Sequence, residues 1–228
     1  MILKFIFNLM GYKLPMISAI DESISMMNGE RIISYGLVLG ELNHLLTAYD
    51  LLRGAYIRYY KKTFGIEYPY QELKFSNLVR DSIKNGLDIN YVINVFVIPS
   101  LRKLRELCIC RSIVIKKYLE EKIIEIADLF NFKRFHKRSI IIAGILKILL
   151  QDIYKCEVRY DRGLLIRPKD VQTILRRVFR FFKLVQGDSL NEHTIQIADF
   201  IAGSSKYLKM RNAYFDKNIY FVYLVETT

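Results

Sequence analysis

Two rhythms of apolar and polar positions run along the chain, and each predicts an element. From Leu14 to Ile20 nearly every position is apolar, the pattern of a buried strand, which is expected to end at Asp21. Asn28-Gly29 is a two-residue hairpin signal, because both residues tolerate the positive φ that such turns need. Arg31 to Leu39, rich in Ile, Val and Tyr, is the natural antiparallel partner. The rhythm then changes. Leu45, Ala48, Leu52, Ala55 and Tyr59 recur at three and four, predicting a long helix over 42–64 between Gly40 and Gly65.

Further on, 71–84 reads as a short helix carrying Glu72, and 87–105 as a helical stretch broken or kinked at Pro99. Residues 108–116 alternate as a strand, and 120–130 and 139–154 are expected as helices. A short strand over 157–160 ends at Asp161, and Pro168 opens a helix to about Arg180. A strand over 181–185 and a last helix over 191–210 complete the pattern. Strands interleaved with crossover helices imply an α/β fold whose sheet ends carry the site. With no Gly/Ser/Pro-rich linker, 1–228 is expected as one domain. Residues 1–13 read as a dispensable extension, because Met10 and Met16 are alternative starts, and about 87–155 as a variable, mainly helical region.

Composition narrows the class. Apolar residues make up 52% and charged residues 25%, which suits a folded core rather than disorder. The 35 Lys+Arg against 23 Asp+Glu give a net charge of +12, favouring a polyanionic partner such as nucleic acid. The cations are bunched: Lys133, Arg134, Lys137 and Arg138 interleave with aromatics, and Arg176, Arg177 and Arg180 recur at helical spacing. Three cysteines without CxxC spacing and three scattered histidines argue against a disulfide framework or a zinc cage. The apolar stretches at 1–10 and 139–150 are too short to span a bilayer, so a soluble cytoplasmic protein is expected.

Four acidic residues sit in or beside apolar stretches, where a lone carboxylate must neutralise itself or find a cation. Asp21 follows the first strand, Asp161 follows a later one, and Glu72 stands two residues before Lys74. Each of these also fits a turn or surface residue. Asp199 is more telling. On a helix it shares a stripe with Gln196 and Gly203, while Ala198 and Ala202 beside it allow close approach to a sheet. Aspartate is a poor helix former and a poor core residue, so a function outweighs a purely structural role there.

This ordered set resembles the family known as domain of unknown function 3800. The resemblance rests on Asp21-Glu22-Ser23, Glu72 with Lys74, Asp161, and Ser189 followed by Gln196, Ala198 and Asp199. It runs from about residue 16 to 207, most specifically over 195–203, and is poor over 87–155. Ile24 stands where the family has Gly. The resemblance implies a ribonuclease H-like mixed sheet, opened by a β-hairpin, flanked by helices and carrying a helical insertion. It also implies nuclease-like chemistry, with Asp21, Glu72, Asp161 and Asp199 binding one or two Mg²⁺ or Mn²⁺ ions. Two such ions ~4 Å apart stabilise the attacking and leaving oxygens of an in-line displacement. Glu22, Ser23, Lys74, Ser189 and Gln196 are expected to assist, and the basic clusters to hold the nucleic-acid backbone. An inactive nucleic-acid-binding module and a protein-interaction module remain as alternatives, and DNA and RNA are not distinguished.

Overall fold

Central in the sheet is the strand that carries Asp21. The computed structural model describes residues 16–210 apart from 28, 130, 131, 152, 154, 177, 178 and 180. Its strands are β1 (Met16–Met27), β2 (Glu30–Gly40), β3 (Ile109–Lys116), β4 (Lys155–Asp161) and β5 (Phe181–Gly187), in the order β3-β2-β1-β4-β5. β2 runs antiparallel to both β1 and β3, whereas β1, β4 and β5 are mutually parallel. This is the ribonuclease H-like arrangement that the resemblance implies: a mixed α/β sheet entered through a hairpin. The turn at Gly29 takes φ 79°, a conformation without steric cost for glycine.

Eight α-helices are assigned among the described residues. They are α1 (Leu42–Phe64), α2 (Phe75–Lys84), α3 (Ile89–Val92), α4 (Ile98–Leu107), α5 (Lys117–Leu129), α6 (Lys137–Leu149), α7 (Pro168–Leu175) and α8 (His193–Met210). One apolar cluster joins Ala19 and Val38 of the sheet to α1, α2, α4 and α8. A second joins Ile20, Tyr35, Leu37 and Val158 to α6 and α7 on the opposite face. The alternation of side chains along β1 thus sends odd-numbered residues towards α8 and even-numbered ones towards α6. None of the helices among the described residues is long and apolar enough to cross a membrane.

Four expectations need correction. β1 does not end at Asp21 but continues to Met27, because its pairing with β2 persists to Met27↔Glu30. What ends near Asp21 is the pairing with β4, whose last partners are Ile20 and Tyr160. Glu72 does not lie on a helix, since α2 starts only at Phe75. Pro99 does not break its helix: a π-turn segment, Ile93–Val97, directly precedes α4, and Pro99 sits in the first turn of α4. The wider turn makes room for a ring that would otherwise meet a carbonyl of the preceding turn. The helix opened by Pro168 ends at Leu175, short of Arg180. The segment 1–13 lies outside the described residues.

Candidate functional site

Asp21 faces Gly36 across the β1–β2 ladder, and that glycine lets α8 descend onto the sheet. A Cβ at residue 36 would stand 2.3 Å from the Ala202 amide nitrogen and 2.4 Å from the Ala198 carbonyl oxygen. Glycine opposite alanine therefore brings the backbone of α8, with Asp199, close to β1. The parallel register supplies the third carboxylate: Ile20 pairs with Tyr160, so Asp161 continues β4 beside Asp21.

The fourth arrives by a loop that α8 itself holds. The Leu73 amide donates to Gln196 Oε1 at 2.8 Å, and the Phe75 amide donates to Asp199 Oδ2 at 3.0 Å. Gln196 Nε2 in turn donates to the Ser189 carbonyl at 2.7 Å, so Ser189 is engaged through its backbone. Phe75 is the first residue of α2, and Lys74 before it gives no side-chain cap. Asp199 therefore caps α2 from another helix, where an anion suits the free amides. Between these two anchors Lys74 projects, and its ammonium pairs with Glu72 at 3.3 Å. Tyr68 donates its hydroxyl to the Glu72 carbonyl at 2.8 Å.

Electrostatics tie the four together. The Asp21 carboxyl is pushed up from 3.8 to about 8, first by burial and then by Asp199 and Asp161, with Lys74 pulling the other way. Asp199 is raised to about 6 by burial, held back by the Phe75 amide and Lys74. Lys74 is pulled down by burial, but Glu72, Asp199 and Asp21 outweigh this and raise it. Carboxyls that keep their protons near neutral pH are short of positive charge. The donor set is all oxygen, which matches a hard divalent cation in chemistry. It is not a closed cage, however: among the described residues, no three His, Cys, Asp or Glu side chains are grouped closely enough to hold a metal ion.

The other expected residues fall in different places. Ser23 shares the α8 side of β1, and its hydroxyl accepts from the Lys206 ammonium at 3.0 Å. Glu22 points to the opposite face, where it pairs with Arg138. Arg138 also pairs with Glu120 at 2.7 Å, donates to the Tyr35 hydroxyl at 2.8 Å and reaches the Leu164 carbonyl at 3.4 Å. Expected as a backbone-binding cation on the surface, Arg138 is instead a half-buried strut between β1, α5 and α6. Lys133, Arg134, Lys137 and Arg176 are exposed, and Arg134 lies over the Phe135 ring at 4.9 Å. Arg177 and Arg180 lie outside the described residues.

Lys206 escaped the sequence reading. It lies two turns beyond Asp199 and is 8% exposed. Extending the Gln196–Asp199–Gly203 stripe by one more turn would have reached it.

Comparison with solved structures finds ribonuclease H2 from Pyrococcus horikoshii at 12% identity, TM-score 0.46, covering 90% of this chain and 80% of that one. It also finds the ribonuclease HII of an Archaeoglobus fulgidus PCNA complex at 11% identity, TM-score 0.43, covering 90% and 81%. No protein-family model matches the chain, and no curated protein matches it. The fold assignment accordingly rests on the order and direction of the strands themselves.

Proposed function

We propose that the protein is a divalent-metal-dependent phosphodiester hydrolase acting on nucleic acid, of the kind its resemblance to domain of unknown function 3800 implies. The observation that carries this reading is the convergence of Asp199, Asp161 and Glu72 on Asp21, whose carboxyl is pushed up to about 8 first by burial and then by these neighbouring charges. Among the described residues, four carboxylates with one ion pair between them, Glu72 to Lys74, are a costly arrangement for a purely structural role. The net charge of +12 supports a polyanionic substrate.

In this reading Asp21, Glu72, Asp161 and Asp199 hold Mg²⁺ or Mn²⁺. A bound ion there supplies a water of lowered pKa and stabilises charge on the phosphoryl oxygens. Lys74, partly exposed beside Glu72, takes a non-bridging phosphate oxygen. Gln196 and Asp199 act before the chemistry, by fixing the 72–75 segment against α8. The exposed Lys133, Arg134, Lys137 and Arg176 hold flanking phosphates without reading sequence.

One observation favours an inactive nucleic-acid-binding module of the same fold: Glu72 is paired with Lys74, and among the described residues no three acidic side chains are grouped closely enough to hold a metal ion. Incubation with labelled DNA and RNA in Mn²⁺ separates the readings. The hydrolase cleaves one of them, and Asp199→Asn abolishes the cleavage. Binding without cleavage selects the module, and cleavage that survives the substitution unchanged removes the site.

A further inference from the structure

Beyond Asp161 the chain makes a short 3₁₀ turn, Arg162–Leu164, and leaves it at Leu165 with φ 51° and ψ 38°. Among the described residues, no other non-glycine position has a positive φ. A leucine there crowds its Cβ against the following carbonyl oxygen, a cost that glycine or asparagine largely avoids. The same leucine is 75% exposed, so burial of its apolar side chain gives nothing in return. The turn is nevertheless held firmly. Leu164 is buried, and its carbonyl accepts from Arg138 Nε at 3.4 Å. The Leu165 amide donates to the Arg162 carbonyl at 3.0 Å, and the Arg167 amide donates to Ser139 Oγ at 2.8 Å. A rigid turn thus keeps an apolar side chain in water at a local cost.

Cations surround that side chain. Arg162, Arg167 and Lys169 of the same loop are exposed. The His136 amide donates to Asp170 Oδ2 at 2.9 Å, and with the bond between Ser139 and Arg167 this seats the stretch carrying Lys133, Arg134 and Lys137 beside the loop. Among the described residues, none of these six cations forms an ion pair. An unpaired basic surface fits a polyanion. It suits a single strand poorly, because single-stranded bases stack on open aromatic faces. Phe132 and Phe135 are half-buried, and Arg134 lies over the Phe135 ring at 4.9 Å. A leucine between arginines instead matches a DNA duplex, where aliphatic wedges part base steps and arginines enter the minor groove.

We propose that Leu165 is a wedge that enters a base step of duplex DNA from the minor groove, with Arg162, Arg167 and the 133–137 stretch holding phosphates around it. The inference rests on the nucleic-acid reading above and narrows its substrate class to double-stranded DNA; it needs no metal ion. Because the loop begins at Asp161, the kinked step lies next to the candidate site. Leu165 touches substrate but no reacting atom, so its role is recognition.

The test is titration of the full chain, in EDTA, into a short DNA duplex carrying a fluorescence donor and acceptor at its two ends. Wild type is expected to raise the energy transfer, because a wedge kinks the duplex by roughly 20–90°. Leu165→Asn tolerates the left-handed backbone, so it is expected to melt at or above wild type. It should bind about tenfold more weakly and leave the transfer at the value of free duplex even at saturation. Leu165→Met, still apolar, should bend the duplex as wild type does. Arg162→Ala with Arg167→Ala should lower the salt slope of binding by about two. Wild type that binds without bending, Leu165→Asn that bends fully, or tighter binding to single strands overturns the inference. Cleavage in Mn²⁺ by a chain that does not bend DNA leaves the hydrolase reading standing alone. Bending by a chain that cleaves nothing leaves the wedge standing and selects the binding module. A chain that binds no nucleic acid removes both.

Discussion

The Phe75 amide donates to the Asp199 carboxylate across 124 residues of sequence, and this bond makes a candidate catalytic side chain double as a helix cap. Asparagine keeps a carbonyl oxygen for the bond, whereas alanine does not. Asp199→Asn is therefore expected to fold and melt near wild type, while Asp199→Ala loses a cap worth about 1 kcal/mol. Both should lose cleavage by more than about 100-fold, exceeding what loss of a supporting residue costs at a metal site. Thermal melts beside a cleavage assay check this, and an active Asp199→Asn would contradict it.

Asp21 and Asp199 hold their protons more tightly in the folded chain than at the ordinary value of 3.8. The folded state therefore binds more protons than the unfolded state between pH 3.8 and about 8. Stability conferred by this pair is complete below that window and is lost as pH rises through it. In chelating buffer the melting temperature should fall from about pH 5 to about pH 8, and Asp21→Asn should flatten the slope. Added Mn²⁺ should restore stability at the alkaline end, because it binds the folded state. Identical slopes for wild type and Asp21→Asn would refute the assignment.

Gly36→Ala places a methyl group 2.3 Å from the backbone of α8, which no side-chain rotation relieves. Moving α8 away should cost roughly 2–3 kcal/mol. It should also weaken Mn²⁺ binding, because Asp199 moves with the helix. Urea unfolding and metal titration on the same variant test both halves, and a fully stable Gly36→Ala would mean that α8 sits higher above the sheet.

Arg138→Met leaves Glu22 and Glu120 facing each other without their cation. A loss of about 3–5 kcal/mol is expected, the range for breaking a buried pair from one side. Lys133→Ala with Arg134→Ala, both exposed, should leave stability unchanged and lower nucleic-acid affinity in a salt-dependent way. The reverse pattern would return Arg138 to the surface role its sequence context suggests.

Gln196→Ala removes the acceptor for the Leu73 amide and the donor to Ser189. About 1–3 kcal/mol should be lost, because a buried amide is left unpaired. The loop bearing Glu72 should loosen with it, which faster hydrogen exchange at Leu73 would report.

Much of this was legible in one dimension. Strand and helix periodicity located the hairpin, the 42–64 helix and the α8 stripe, because side-chain direction repeats at two and at 3.6 residues whatever the partner. The four carboxylates stood out because apolar neighbours made them costly. The sequence could not say that Glu22 faces away from Asp21. That follows from the pleat, and which face meets α8 depends on packing. Nor could it say that Arg138 pairs inward while Arg134 stays outside, since burial of a cation depends on carboxylates brought from other elements. Local chemistry is a property of neighbours along the chain. The closeness of Asp21, Asp161 and Asp199 is a property of strand register and of a glycine that admits a helix, and those exist only once the sheet has formed.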